Sequence, residues 1–207
     1  MAKKNVSKKG NKSSGKSAGS APFLTAERKL EITGIITMAI AVLLGISIVT
    51  FHAEDYGVLQ SIRAGDLFSV KEGPALRIQN GLGVVGAYLA QWFVHYLFGY
   101  ISIVIPAILF TTGWFIFRRR ALDELGWPAL YSIWGMILIA TIIGWFGYEN
   151  GWSSVAWNGT AGLVFARTLR FITGYYGSVV ILIALSIVTI LALLDRDLQK
   201  TIDGLKG

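Results

Sequence analysis

The sequence predicts an all-α integral membrane protein, with four transmembrane helices and two amphipathic helices that are interfacial or re-entrant on the outer side. Hydrophobic residues make up 54% of the 207 residues, and several long runs carry no charge. Charged residues make up 15%, well below the roughly 25% of a soluble domain. Cysteine is absent, which excludes a disulfide framework and a thiolate metal site.

Residues 1–26 form a basic segment with six lysines and no acidic residue. Such a composition buries too little apolar surface to offset the entropy of ordering, so the sequence predicts a disordered cytoplasmic tail. The first apolar run begins only near Ile32, which excludes a secretory signal peptide. Contact with anionic lipid or with DNA phosphates is the alternative role of these lysines.

Four spans are predicted within a membrane domain of residues 27–197. The first run has 20 uncharged residues, which at 1.5 Å per residue cross about 30 Å, the thickness of the hydrocarbon core. Comparable runs follow later in the chain. The predicted spans are residues 32–51, 99–117, 127–146 and 175–194, each approximate at its ends.

The uncharged run from Asn80 to Phe117 has to be divided into two helical segments. As one helix, its residues would extend about 57 Å, nearly twice the hydrocarbon core, while two full spans would leave no residues for a turn. We therefore expect a surface helix at about 80–97, followed by the span. Gly99 is the expected joint, because glycine breaks a helix at low steric cost. Pro106 is expected to kink the span.

Spaced small residues lie on this first surface helix. The stretch from Gly81 to Gly86 matches the G-x-G-x-x-G pattern of dinucleotide sites, but no strand precedes it and no acidic residue follows at about 20 residues. We interpret the pattern as a packing face that lets another backbone approach closely. The members of this face are Gly83, Gly86, Ala87 and Ala90.

The unit of a surface helix followed by a span is predicted to occur twice. A shift of 78 residues aligns Asn80 with Asn158 and Gly99 with Gly177, among seven identities. The second surface helix is therefore expected at about 157–174.

The distribution of Lys and Arg predicts the orientation. Eight lie before residue 30, three in the turn Arg118-Arg119-Arg120 and three near the C-terminus, against five in the two other loops. The positive-inside rule then places both termini and the arginine turn in the cytoplasm. The two surface helices would lie on the outer side.

The run NGLGVVGAYLAQWFVHYLFGYISIVIPAILFTTGWFIFRRR resembles the four-span N-terminal domain of the FtsK/SpoIIIE DNA translocases. The matching positions are Asn80, Gly83, Gly86, Ala87, Phe98, Gly99, Pro106 and Gly113. Phe51, Asp55 and the second unit, residues 158–194, agree with the same family. The resemblance covers roughly residues 30–197.

The resemblance implies a membrane anchor at the bacterial division septum, in the cytoplasmic (inner) membrane, with a role in chromosome segregation. The partners it implies are the lipid bilayer, further copies of the chain, forming a hexamer, and division-site membrane proteins. Longer relatives carry a linker and an ATP-driven motor that pumps DNA. The pattern G-x-x-x-x-G-K-[ST] occurs once, from Gly10 to Ser17 in the basic tail, but no hydrophobic strand precedes it there, so we expect no phosphate-binding loop, no enzymatic activity and no cofactor in this chain. DNA contact would be weak and confined to the basic tail, and residues 198–207 are expected to begin the linker.

Two other functions stay open, an accessory four-span subunit of a larger complex such as a respiratory one, and a small transporter subunit. A transporter is expected to carry ionisable groups at mid-membrane, and the predicted spans carry essentially none. His95 is expected to be structural or interfacial, and no catalytic or metal site is predicted. The outer-loop acids are expected only to keep that loop soluble; they are Glu54, Asp55, Asp66 and Glu72.

Overall fold

The computed structural model describes residues 25–61, 77–152 and 155–205, and the regular secondary structure within them is helical. Residues 1–24 of the predicted tail lie outside the described residues, as do Asp66 and Glu72. The helices are α1 Ala26–Val49, α2 Asp55–Ser61, α3 Gly83–Ala90, α4 Val104–Phe117, α5 Asp123–Glu149 and α6 Val155–Leu205. Between α3 and α4 the chain forms a π-helix at Gln91–Phe98 and a 3-10 helix at Gly99–Ile103.

Four helical stretches are long and apolar enough to cross a membrane, and they confirm the predicted fold class. They are Glu27–Val49, Gly83–Phe117, Asp123–Glu149 and Val155–Leu194. Many large apolar side chains on these helices face outward, and Phe171 is 90% exposed. An apolar surface of this extent is unfavourable in water and is solvated by lipid.

Two helices begin before the spans that hydropathy marks out. α1 already includes the charged residues ahead of Ile32, and the Thr25 side chain caps it by accepting a hydrogen bond from the Arg28 N–H, at 3.5 Å. α5 carries Asp123 and Glu124 in its first turn, where acidic groups complement the helix dipole. Helix capping and helix charge therefore extend the helices beyond the apolar runs.

Glycines with positive φ divide the long apolar stretches. Gly99, the predicted joint, has φ 68° and ψ −155°. Within α6, Gly159 has φ 64° and ψ 170°, and Gly174 has φ 72° and ψ −175°. These angles lie in a region that is essentially restricted to glycine. α6 therefore consists of a first turn, a middle segment of residues 160–173 and a final segment of residues 175–205.

Pro106 lies buried in the first turn of α4, directly after the 3-10 helix. A proline is tolerated in the first turn of a helix, because the N–H that it lacks has no partner there. The change from 3-10 helix to α-helix therefore occurs close to Pro106, the residue that was predicted to kink the span.

The spanning helices pack in two pairs, α1 with α4 and α5 with α6. In the first pair, a Cβ atom at Gly34 would lie 2.8 Å from the carbonyl oxygen of Gly113, and one at Gly113 would lie 2.9 Å from that of Gly34. The two helices therefore meet backbone to backbone, as small residues permit in membranes. The second pair surrounds a buried apolar cluster of Leu138, Trp145, Ala166 and Leu182.

α4 and α5 follow each other in the chain but make few contacts. A groove of about 520 Å³ separates them, with Ala107 and Thr111 on one wall and Ser132 and Gly135 on the other. The two pairs are joined instead by contacts of the segment between Gln91 and Ile103 with α6.

We expect Gly113→Ala to destabilise the α1–α4 pair. The added methyl group would lie 2.8 Å from Met38 Cγ and 2.9 Å from the Gly34 carbonyl oxygen, and overpacking of this kind costs about 1–3 kcal/mol. The matched control is Gly135→Ala, where no atom lies within 4 Å of the added carbon. Thermal unfolding in bicelles should show a lower midpoint for Gly113→Ala alone, and equal midpoints for both variants would contradict this packing.

Candidate functional site

The end of α1 opposite the arginine turn is closed by a set of residues that we name the polar cap: Ser47, Thr50, Asp55, Asn80 and Gly86. Asn80 is 5% exposed. Its Nδ2 donates to the carbonyl oxygens of Ser47 and Thr50, at 2.9 and 3.0 Å. The last carbonyls of a helix lack partners within the helix, so Asn80 satisfies groups that would otherwise be left unpaired.

Asp55 holds the Asn80 backbone in position. Its carboxylate accepts hydrogen bonds from the N–H groups of Gln79, at 2.8 Å, and Asn80, at 3.1 Å. Asp55 is only 3% exposed, whereas Glu54 is exposed and bonds the Gln79 side chain. The prediction that Asp55 only keeps the outer loop soluble is therefore wrong, because its carboxylate is a buried structural acceptor.

The predicted packing face meets α1 through Gly86. The Ser47 hydroxyl donates to the Gly86 carbonyl oxygen at 2.6 Å, and a Cβ atom at Gly86 would overlap the side chain of Asn80. Ala87 and Ala90 are buried beside it. Gly83 differs, because its Cβ position is open and its φ of +62° accounts for the glycine.

The two halves of the chain meet at the glycine crossing, formed by Gly99, Trp157 and Gly159. A Cβ atom at Gly99 would lie 2.6 Å from the Ala156 carbonyl oxygen and would overlap the backbone of Trp157. One at Gly159 would overlap the carbonyl group of Leu97. Both glycines have positive φ, and neither has space for a side chain.

Side chains around the glycine crossing bind the same two segments together. The Thr160 hydroxyl donates to the His95 carbonyl oxygen at 2.8 Å. The rings of Phe98 and Phe165 stack at 6.3 Å. The segment that contains His95 also contacts α2, because the imidazole ring of His95 stacks on Tyr56 at 5.5 Å. Within the described ranges, no group of three His, Asp or Glu side chains is placed to hold a metal ion.

The arginine turn lies at the other end of the bundle. Arg119 Nη2 lies 2.8 Å from Glu31 Oε1 and 3.3 Å from Glu27 Oε2, which ties the end of α4 to the start of α1. These groups are exposed, so the ion pairs contribute at most about 1 kcal/mol each. Arg118 and Arg120 lie over aromatic rings of α4, at 5.5 and 5.9 Å from the ring centroids.

A second set of charges, which sequence patterns did not indicate, lies at the same end of the bundle as the polar cap. Arg170 pairs with Glu149 at the end of α5 and also lies over the ring of Tyr175. Arg167 lies over Tyr148. These contacts fasten the middle segment of α6 to the end of α5.

The described contacts define a class of protein, a polytopic helical membrane domain whose buried polar groups serve capping and close packing. Residues 26–206 match the family described as the 4TM region of DNA translocase FtsK/SpoIIIE. The chain therefore belongs to this family, and the predicted resemblance is confirmed.

One relative shows the relation to a longer protein. The DNA translocase FtsK of Chlorobaculum tepidum is 27% identical over 129 residues, which cover 62% of this chain and 16% of the relative. No solved structure matches the chain. The chain matches the membrane region of this family, and it spans a small part of the length of the relative.

We expect Asp55→Asn to destabilise the polar cap. The new amide would present an NH2 group to one of two backbone N–H donors, and a buried donor left without an acceptor costs about 1–3 kcal/mol. Glu54→Gln is the matched control, since Glu54 is exposed and should change stability by less than about 0.5 kcal/mol. Chemical unfolding in detergent micelles, followed by circular dichroism, measures both. Equal stability of the two variants would contradict the assigned role of Asp55.

Proposed function

We propose that this chain anchors a DNA translocase in the bacterial cytoplasmic membrane and concentrates it at the division septum during chromosome segregation. The observation that carries the proposal is the family match, because it extends over almost the whole described helical region. DNA translocation itself would belong to a motor in another part of such a protein.

The geometry supports an anchor in which the start of α1 and the end of α6 lie on the same side of the bundle. α1 begins beside the arginine turn. Trp134 Nε1 donates to Thr189 Oγ1 at 3.0 Å, so the last part of α6 lies along the first half of α5 and runs toward the side of the bundle that carries the arginine turn. α6 remains helical from residue 195 to residue 205, past its apolar part. At 1.5 Å per residue this extension is about 16 Å long, and a continuous helix would transmit the orientation of the anchor to the motor of the proposal.

The charge distribution supports placing that side in the cytoplasm. The arginine turn lies beside the start of α1, and the sequence that leads into α1 carries six lysines. Lys and Arg next to spans favour the cytoplasmic side. The lysines would also give weak, sequence-independent binding to DNA that falls steeply as salt rises.

Association with other membrane proteins is part of the same proposal. Copies of the chain, as a hexamer, and division-site membrane proteins are the proposed partners. The exposed apolar faces of α5 and α6 and the groove between α4 and α5 are surfaces on which spanning helices of such partners could pack.

We expect reporter fusions after Phe51 and after Gly147 to be external, and a fusion after Arg120 to be internal. The expectation follows from the positive charge of the tail and of the arginine turn. Alkaline phosphatase activity reports an external site and green fluorescence an internal one. An external reporter after Arg120 would overturn the proposed orientation.

We expect a fluorescent fusion of the chain to collect at division sites in growing bacteria. The control replaces the six tail lysines by glutamine, and it should also collect there, because the membrane domain is proposed to carry the signal and the arginine turn still favours the same orientation. Time-lapse microscopy of dividing cells measures the enrichment at the septum. Uniform membrane fluorescence through the cell cycle, or stoichiometric co-purification with a respiratory complex, would contradict the proposal.

A further inference from the structure

An exposed arginine interrupts an apolar face on the middle segment of α6, residues 160–173. Val164, Arg167 and Phe171 are spaced three and four residues apart, so they share one side of this helical segment, which we name the arginine face. All three are exposed, and Phe171 is 90% exposed. The arginine face therefore presents one cationic group between two apolar side chains that the described chain leaves largely uncovered.

The guanidinium group of Arg167 has no ionic partner of its own. Glu149 pairs with Arg170, and the ion pairs among the described residues include no carboxylate at Arg167. Two arginines and one glutamate therefore leave an excess of positive charge at the end of α5. Arginines at the apolar surface of a membrane protein pair with anions or reach the interface, so this position favours an anion as its partner.

Tyr148 positions the Arg167 guanidinium. The Cζ atom of Arg167 lies over the Tyr148 ring, 5.4 Å from its centroid. The five N–H groups of a guanidinium lie in its plane, so a guanidinium that rests on a ring keeps N–H groups available at its edge. Two N–H groups on one edge match two oxygens of a phosphate, which is the anion that this geometry fits.

The arginine face lies at the level where lipid headgroups meet acyl chains. Arg170, three residues from Arg167, pairs with Glu149, which is the last residue of the spanning helix α5. Tyr148 belongs to the same last turn, and tyrosine concentrates at this level of the membrane. The long side chain of an arginine near the end of a span extends toward the headgroups.

We propose that the arginine face binds one anionic phospholipid of the surrounding bilayer. The Arg167 guanidinium donates hydrogen bonds to the phosphate of the headgroup, and the acyl chains lie against Val164 and Phe171. Basic groups beside spanning helices bind anionic lipid headgroups in this way. The two apolar neighbours distinguish a lipid from free phosphate, because only the lipid contacts them as well as the guanidinium.

An acidic peptide of a partner protein is the other occupant that an exposed arginine could pair with. The apolar residues on both sides of Arg167 favour the lipid, because acyl chains solvate them while the phosphate meets the charge. A hexaglutamate peptide is the probe for the acidic peptide, and inorganic phosphate is the probe for a site that needs no acyl chain.

The test measures the preference for phosphatidylglycerol over phosphatidylcholine with the same acyl chains, since the choline group compensates the charge of the phosphate. The full chain, purified in detergent, is mixed with equal amounts of the two lipids and analysed by native mass spectrometry. The six tail lysines also attract anionic lipid, so the measurement is repeated on a tail-substituted chain, in which glutamine replaces all six. We expect both proteins to retain one phosphatidylglycerol per chain in preference to phosphatidylcholine.

Two variants of the tail-substituted chain locate the effect. Arg167→Gln should lower the preference for phosphatidylglycerol roughly five- to tenfold, as for the loss of one charge-assisted interaction. Arg77→Gln is the matched control, because Arg77 is also exposed and lies near the polar cap but outside the arginine face. This control should keep the preference. Circular dichroism and size-exclusion chromatography establish that both variants are folded.

Three results would overturn the proposal. They are equal retention of the two lipids by the tail-substituted chain, a preference that Arg167→Gln leaves unchanged or that Arg77→Gln lowers equally, and displacement of the bound lipid by millimolar inorganic phosphate or micromolar hexaglutamate. The first comparison leaves the membrane domain unchanged, so a variant that fails to fold does not prevent the test.

Discussion

The close approach of two backbones at the glycine crossing is the contact on which the rest of the architecture depends. Lipid is as apolar as the helix surfaces, so spanning helices associate through packing and hydrogen bonds rather than through the hydrophobic effect. The α1–α4 and α5–α6 pairs make few contacts along α4 and α5. Their relative position is therefore set where the chain around Gly99 lies against the backbone at Trp157 and Gly159.

The same local arrangement occurs in both halves. In the first, Asn80 is buried beside the end of α1, and Ser47 bonds the carbonyl oxygen of Gly86. In the second, Asn158 is also buried, and a Cβ atom at Gly144 would lie 2.8 Å from the carbonyl oxygen of Gly162 and 3.0 Å from Nδ2 of Asn158. Each half thus consists of a span, a middle segment packed on the end of that span, and a returning span. The internal repeat includes the preceding helix, which the shift of 78 residues did not reveal.

Sequence reasoning reached the fold class and the family because both rest on features that are local in the chain. The lengths of uncharged runs can be compared with the thickness of the bilayer, and the order of Asn80, Gly99 and Pro106 is given directly by the sequence. The place of Gly99 at a helix break follows from the same arithmetic, because 38 residues are too many for one span and too few for two.

The features that sequence reasoning missed depend on partners that are distant in the chain. In the sequence, Asp55 is one of several acids in the outer loop. Its role follows only from the hydrogen bonds that its carboxylate accepts from the N–H groups of Gln79 and Asn80. Gly83 and Gly86 look alike in a spacing pattern, yet one serves backbone conformation and the other close packing. The contact of Gly34 with Gly113 joins residues that share no pattern.

Co-purification of two separately expressed halves, residues 1–121 and 122–207, tests the central claim about the glycine crossing most directly. Gly159→Ala should reduce recovery of the untagged half at least about tenfold, because the methyl group overlaps the Leu97 carbonyl as well as straining the backbone. Gly151 has φ +67° with no atom within 4 Å of its Cβ position, so Gly151→Ala imposes the strain alone and should leave recovery near that of the parent. Equal recovery with Gly159→Ala and Gly151→Ala would contradict the claim that this crossing holds the two halves together.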